Sequence, residues 1–365
     1  MINLKYLFVF FMMLTTLNES VVQAQSVQKF DWQQLPAIPN KIGFAGSFAG
    51  VAGDALIVAG GANFPDGGAP WTGSKKAWTD EIFVLDKPDG NWKSISKLPK
   101  KMGYGVSVNY KNTLIIIGGS NEEGHHQDVL QLHYENGKIR FDHLPDLPEP
   151  IANTCGVLAG NVIYVMGGIK TPDAKTAGNN FWALDLAADT KVWKLLPSWP
   201  GEPRMLSVAG ALGNSVYLFS GVTLIKGERK YLNDAYRYTP NKGWEKLADL
   251  PSSVAAAPTP AFSSKKQLLI FGGDNGELAS KAAELKDKHP GFSKEVLSYN
   301  PKTNSWNKIG EIKTDIKDDA AKNPNGSLWA PVTTTLTVWH GKVILPGGEV
   351  RPATRTPNVL MAIPQ

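Results

Sequence analysis

The chain has 365 residues, 42% of them apolar, with a formal charge of +5. That apolar share is enough for a core and excludes intrinsic disorder, while so small a basic excess, with no Lys/Arg cluster interleaved with aromatics, leaves no footprint for nucleic acid. A lone cysteine, Cys155, excludes an intramolecular disulfide and a multi-cysteine metal site; 36 glycines with no three-residue period exclude collagen and favour a turn-rich all-β chain.

In chain order, the first 24 residues read as a signal peptide. Lys5 supplies the positive end, residues 6–14 a short apolar run, and Val22-Gln23-Ala24 the small residues a signal peptidase reads. A membrane anchor needs about twenty apolar residues, and Thr15, Thr16, Asn18, Glu19 and Ser20 end the run too soon. The expectation is an exported, periplasmic protein whose mature part, residues 25–365, is one domain with no membrane span.

From there a repeat governs the chain. An apolar, largely β-branched run closing on glycine occurs as ALIVAGG (55–61), LIIIGG (114–119), VIYVMGG (162–168), VYLFSG (216–221), LLIFGG (268–273) and VILPGG (343–348), the fourth with Ser220 in place of its first glycine. Each is followed by a second strand-like run: EIFVLD (81–86), DVLQLHY (128–134), NFWALDL (180–186), DAYRYTP (234–240), EVLSYNP (295–301) and NVLMAIP (358–364). Five of these lead to an aromatic residue and, six positions on, a bulky apolar one: Trp92 with Leu98, Phe141 with Leu147, Trp193 with Trp199, Trp244 with Leu250 and Trp306 with Ile312. The sixth copy lacks this ending, and Trp32 with Ile38 supplies it from the other end of the chain.

The Trp32-to-Trp306 spacing averages about 55 residues per unit, near the roughly 50 of kelch blades built from four antiparallel strands. The fold expected is all-β: a six-bladed kelch-type β-propeller whose ring is closed by the N-terminal strand pairing with the C-terminal blade. Residues 277–288, rich in Ala, Leu, Glu and Lys, read as a short helix inserted in the fifth blade. The repeated glycines and tryptophans are packing residues.

A site therefore belongs where the repeats differ. The post-glycine loops and the post-close segments leave the same end of each blade and surround one mouth of the central channel. They carry Asn63 and Phe64, the loop with Trp71, Lys75, Lys76 and Trp78, Glu122 and Glu123 with His125 and His126, Asp274, and a stretch holding Glu349, Arg351 and Arg355; Tyr104 and Arg204 come from the post-close segments. A carboxylate at the mouth can act as a general base and a guanidinium can grip an anion in bidentate fashion. Spacing alone favours a local ion pair between Glu349 and an arginine, and equally allows Tyr104 to be a packed ring and Arg204 a solvated charge. Adjacent His125 and His126 do not easily share one ion, so no metal is expected.

These residues give the chain a family resemblance. Residues 43–65, the GYGVS stretch at 103–107, Pro203-Arg204, and the Gly-Glu-x-Arg-Pro-x-x-Arg pattern at 348–355 resemble the kelch-propeller N-acetylneuraminate mutarotases, or sialic acid epimerases, in a cyclically permuted order. The resemblance implies an isomerase that interconverts the α- and β-anomers of N-acetylneuraminate without a cofactor. It makes Glu349 the proton acceptor and Arg355 or Arg204 the holder of the sugar carboxylate, with Tyr104, Asn63 and Arg351 as further substrate contacts. The alternatives are a non-catalytic glycan- or protein-binding kelch propeller and a mutarotase of a related sugar acid.

Overall fold

The structure is a computed structural model that describes residues 29–264 and 266–365; the signal segment expected at 1–24 lies outside them. The glycine-ended runs and their successors form the middle strands of six four-stranded antiparallel sheets, a six-bladed β-propeller. From the channel outward the first blade runs Phe48–Ala52, Ala55–Ala59, Glu81–Leu85 and Lys93–Lys97. The fifth runs Phe262–Ser264, Gln267–Gly273, Ser293–Asn300 and Ser305–Glu311. In the sixth, Thr337–Trp339, Lys342–Pro346 and Val359–Pro364 are joined by Phe30–Leu35, which pairs antiparallel with Val359–Pro364 from Phe30 opposite Pro364 to Leu35 opposite Val359.

Alternation along each strand sends side chains into the gaps between neighbouring blades. Between the first and second blades Phe48, Ile57, Ile82, Leu114 and Leu130 interleave, and between the sixth and first Leu56, Phe83, Trp339 and Met361 do so. Each such side chain, fully buried, contributes about 1.5–3 kcal/mol. The outer-strand tryptophans add a directional tie. The indoles of Trp92, Trp193, Trp244 and Trp306 donate to the carbonyls of Pro36, Pro145, Pro197 and Ala248, each in the segment that closes the preceding blade, at 2.7, 2.8, 2.8 and 2.9 Å. The bulky residues six positions after the aromatics, Ile38, Leu98, Leu147, Trp199, Leu250 and Ile312, are all buried.

The glycine signature has a backbone cause. The second glycine lies at φ +101° in Gly168, where an added Cβ would stand 2.8 Å from the Ala152 carbonyl oxygen. Ser220 holds φ +54° in place of the first glycine; its hydroxyl donates to Leu232 O at 2.7 Å and accepts from Val254 N at 2.8 Å, which offsets the strain.

Excursions after the glycines interrupt the pattern, among them those of the fifth and fourth blades. The expected helix in the fifth blade is a broken one, 3₁₀ at Ala279–Lys281, α at Ala282–Leu285 and 3₁₀ again at Lys286–Lys288. In the fourth blade the middle strands, Ser215–Ile225 and Glu228–Thr239, run on as a long hairpin past the glycine. Among the described residues no helix is long and apolar enough to cross a membrane.

Candidate functional site

A residue two to six positions before each inner strand sits in the left-handed region: Gly46, Tyr104, Asn153, Leu206, Ala256 and Thr333. Their amides form a cycle. Tyr104 N–H donates to Gly46 O, Asn153 to Tyr104, Leu206 to Asn153, Ala256 to Leu206, Thr333 to Ala256 and Gly46 to Thr333, all between 2.7 and 2.9 Å. This belt is the floor of the mouth. Gly46 is needed there because the Tyr104 ring lies 2.7 Å from where its Cβ would stand.

Above the floor opens a cavity of about 950 Å³. Of the residues singled out by sequence, Glu349, Arg355 and Tyr104 line it, with Lys76, Trp78, His125 and Asp274. After Gly348 the strand Glu349–Arg351 turns back through Ala353 at φ +62° into Thr354–Arg355, so that Glu349 stands opposite Arg355. The Ala353 amide donates to Glu349 Oε1 at 2.8 Å, and the same oxygen lies 3.6 Å from an Arg355 terminal nitrogen.

Arg355 is 4% exposed, its guanidinium packs 4.8 Å from the Phe64 ring centre, and its Nε and Nη1 have no hydrogen-bond partner in the protein. Burial works against its charge, but Glu349 and Tyr104 beside it more than offset this and hold the guanidinium above its ordinary pKa. Buried donors of this kind are costly unless a ligand satisfies them. The Tyr104 hydroxyl is likewise buried and unpartnered, and the Lys76 ammonium stands 4.8 Å over its ring. Both ring nitrogens of His125 are buried without partners, and burial pushes its pKa down.

The other sequence candidates sit elsewhere. Arg204 is fully buried away from the cavity, in a bidentate pair with Asp234 at 2.6 and 2.8 Å, between Trp199 and Tyr236. Its Nε and Nη1 also reach Glu202 O and Ser220 O at 3.0 and 3.2 Å, so four of its five N–H groups are spent within the protein. Arg351 points away from the mouth, donating to Asp287 O, Ala320 O and Ala321 O at 2.6, 3.1 and 3.1 Å. It thereby ties the Glu349 hairpin to the helical excursion and to the polar segment 315–327, which does not itself line the cavity. Asn63 is buried beside the mouth and donates to Gly43 O at 2.9 Å.

Several lining residues escaped the sequence reading. Tyr231 and Arg229 come from the long fourth-blade hairpin, His289 and Phe292 from the end of the helical excursion. Tyr231 donates to Asp274 Oδ2 at 2.6 Å, while Asp274 Oδ1 accepts from Gly276 N at 3.0 Å. His289 is buried, its Nδ1 accepts from Gly291 N at 3.2 Å, and burial holds its pKa down. The extra strand length and the Ala/Leu-rich insertion were the available signals, and neither says which side chains lean over the mouth.

The family model described as N-acetylneuraminate epimerase matches residues 13–141 and 144–289. Among curated relatives, the N-acetylneuraminate epimerase of Haemophilus influenzae (strain PittEE) is 31% identical over 234 residues, 58% of this chain and 57% of that protein. That of Salmonella paratyphi B is 29% identical over 245 residues, 60% and 58% of the two chains. The chain thus spans under two thirds of the length of these relatives. A solved structure, "Structure of YjhT", shares the fold with a TM-score of 0.64 at 15% identity, covering 91% of this chain and 99% of that one. Glu349 and Arg355 fall outside the two matched segments. Those segments nevertheless take in more than half of the chain and run through its first five glycine-ended repeats, and the chain belongs to the N-acetylneuraminate epimerase family.

Proposed function

We propose that this protein is a cofactor-free mutarotase that interconverts the α- and β-anomers of N-acetylneuraminate. The observation that carries the reading is the pairing, in a member of this family, of a buried guanidinium with unused donors and a half-buried carboxylate on one wall of the mouth cavity. The sugar carboxylate meets the Arg355 donors, and the anomeric hydroxyl gives its proton to Glu349. As an acid or a water molecule gives the ring oxygen a proton, the bond from the anomeric carbon to that oxygen breaks and leaves an open-chain ketone. Closure on the other face, with the protons returned in reverse, completes the exchange. The Ala353 amide fixes one Glu349 oxygen and leaves the other for the substrate.

The test is the decay of freshly released α-anomer followed by NMR. Glu349→Gln is expected to lower the catalysed rate, background subtracted, by about 100-fold or more, the ordinary contribution of a positioned base. Equilibration as fast as wild type would overturn the assignment. Residues 1–24 support a further proposal, export to the periplasm with cleavage after Ala24, which N-terminal sequencing of the secreted protein checks.

A further inference from the structure

The mouth cavity lies at the upper end of the roughly 300–1,000 Å³ typical of small-molecule sites, and Glu349 and Arg355 occupy one wall of it. Next along the wall, on the fifth blade, Asp274 and His289 form a second polar group; His289 is within electrostatic reach of both Asp274 and Glu349. Each is held by the protein in a way that leaves one function unused. Asp274 spends one lone pair of Oδ2 on Tyr231 and one of Oδ1 on the Gly276 amide, so each oxygen keeps a second acceptor site. Because His289 Nδ1 accepts from the Gly291 amide, the neutral ring carries its proton on Nε2 and is a donor.

The parts are locked in place. The Tyr231 ring lies against Gly276, where a Cβ would stand 2.6 Å from it, and Arg351 ties Asp287, two residues before His289, to the hairpin of Glu349. A fixed acceptor beside a fixed donor matches hydroxyl groups, which give and take one hydrogen bond each. The other flank of Glu349 offers the Lys76 ammonium over aromatic rings, which suits a polyol less well.

We infer that Asp274 and His289, with Asp274 oriented by Tyr231, bind the hydroxyl groups of the polyhydroxylated tail of the sugar acid and set specificity for tail length. This rests on the mutarotase reading, since it takes the anomeric centre to lie at Glu349.

The experiment compares N-acetylneuraminate with its analogue shortened by the last two tail carbons, by anomer-exchange NMR and by calorimetric titration, in wild type, Asp274→Asn and Tyr231→Phe. Wild type is expected to favour the longer acid. Asp274→Asn should cut kcat/KM for it by about tenfold, mostly through KM, and should shrink the preference between the two sugars to near unity. Tyr231→Phe, which removes one hydroxyl and keeps the ring, should shift the same ratio in the same direction by about threefold. Equal losses on both sugars, or a loss confined to kcat, would overturn the inference. A wild-type protein that binds both sugars with the stated preference but exchanges neither would instead defeat the mutarotase reading and leave the tail station standing.

Discussion

Replacing Arg204 by Met separates a structural from a substrate-binding role for this residue. The substitution removes two hydrogen bonds to Asp234, at 2.6 and 2.8 Å, and one each to Glu202 O and Ser220 O. What remains is a carboxylate only 17% exposed, with the Tyr236 hydroxyl at 2.7 Å as its side-chain partner. Breaking one side of such a buried pair costs about 3–5 kcal/mol, because the surviving charge keeps its desolvation penalty. The loss is read from urea denaturation followed by tryptophan fluorescence, with Trp199 and Trp244 packed close by. It also has a pH signature. Burial alone would raise the Asp234 pKa, but the Arg204 hydrogen bonds and charge, and then Tyr236, hold it below the ordinary value. A depressed carboxyl stabilises above its unfolded pKa of about 3.9 and loses that contribution as pH falls through the folded value. The gap between wild type and Arg204→Met should therefore be full at neutral pH and narrow below about pH 4. The double variant Arg204→Met/Asp234→Leu should lose less than the sum of the singles by about 1–3 kcal/mol. A stability change under about 1 kcal/mol, together with a tenfold loss of sugar affinity, would refute the structural role.

Other expectations follow from the same architecture. Gly168→Ala, forced to φ +101° with a Cβ 2.8 Å from a carbonyl oxygen, should cost more than about 1 kcal/mol, whereas Gly160→Asn, at φ +60° with open space around it, should cost a few tenths; equal melting temperatures for the two would contradict this. Burial pushes the Cys155 thiol up to about 12, so it should resist a thiol reagent at pH 8 in the native protein and react fully once unfolded. Deleting residues 25–35 removes the strand paired with Val359–Pro364 and the Trp32 contact with Phe271 at 5.9 Å. We propose that this strand closes the ring. Its loss should then abolish cooperative unfolding or drive association through the bared edge, seen by light scattering.

The fold was legible because its signals are local. A strand end that needs left-handed backbone twice in succession selects Gly-Gly, and an indole that must span to the neighbouring blade selects Trp at a set distance, as in Trp92 with Leu98. The Glu349 hairpin was legible too, since it follows directly on such a signature; spacing left base and ion pair as alternatives, and the geometry shows the pair, with Arg355 3.6 Å away and both residues lining the cavity. What stayed hidden depends on partners remote in sequence. Nothing near Arg204 announces Asp234 thirty positions on, and Arg351 differs from Arg355 only in facing outward from the hairpin, onto carbonyls of two insertions. Tyr231 reaches the mouth because a hairpin runs a few residues past its usual end, and His289 because a broken helix turns it inward. Both depend on lengths and directions that composition does not encode.

The belt of six amides under the cavity has a consequence for how such proteins diverge. Each floor residue spends its one N–H and its carbonyl on its two neighbours, so the main chain at the base offers a ligand almost no free polar group. Selectivity is thereby left to side chains, which point mutation can change without disturbing the base. A closed loop of bonds also has no first member. The chain can begin or end beside any blade while every bond in the belt is kept, which is how a reordered gene can preserve the same mouth.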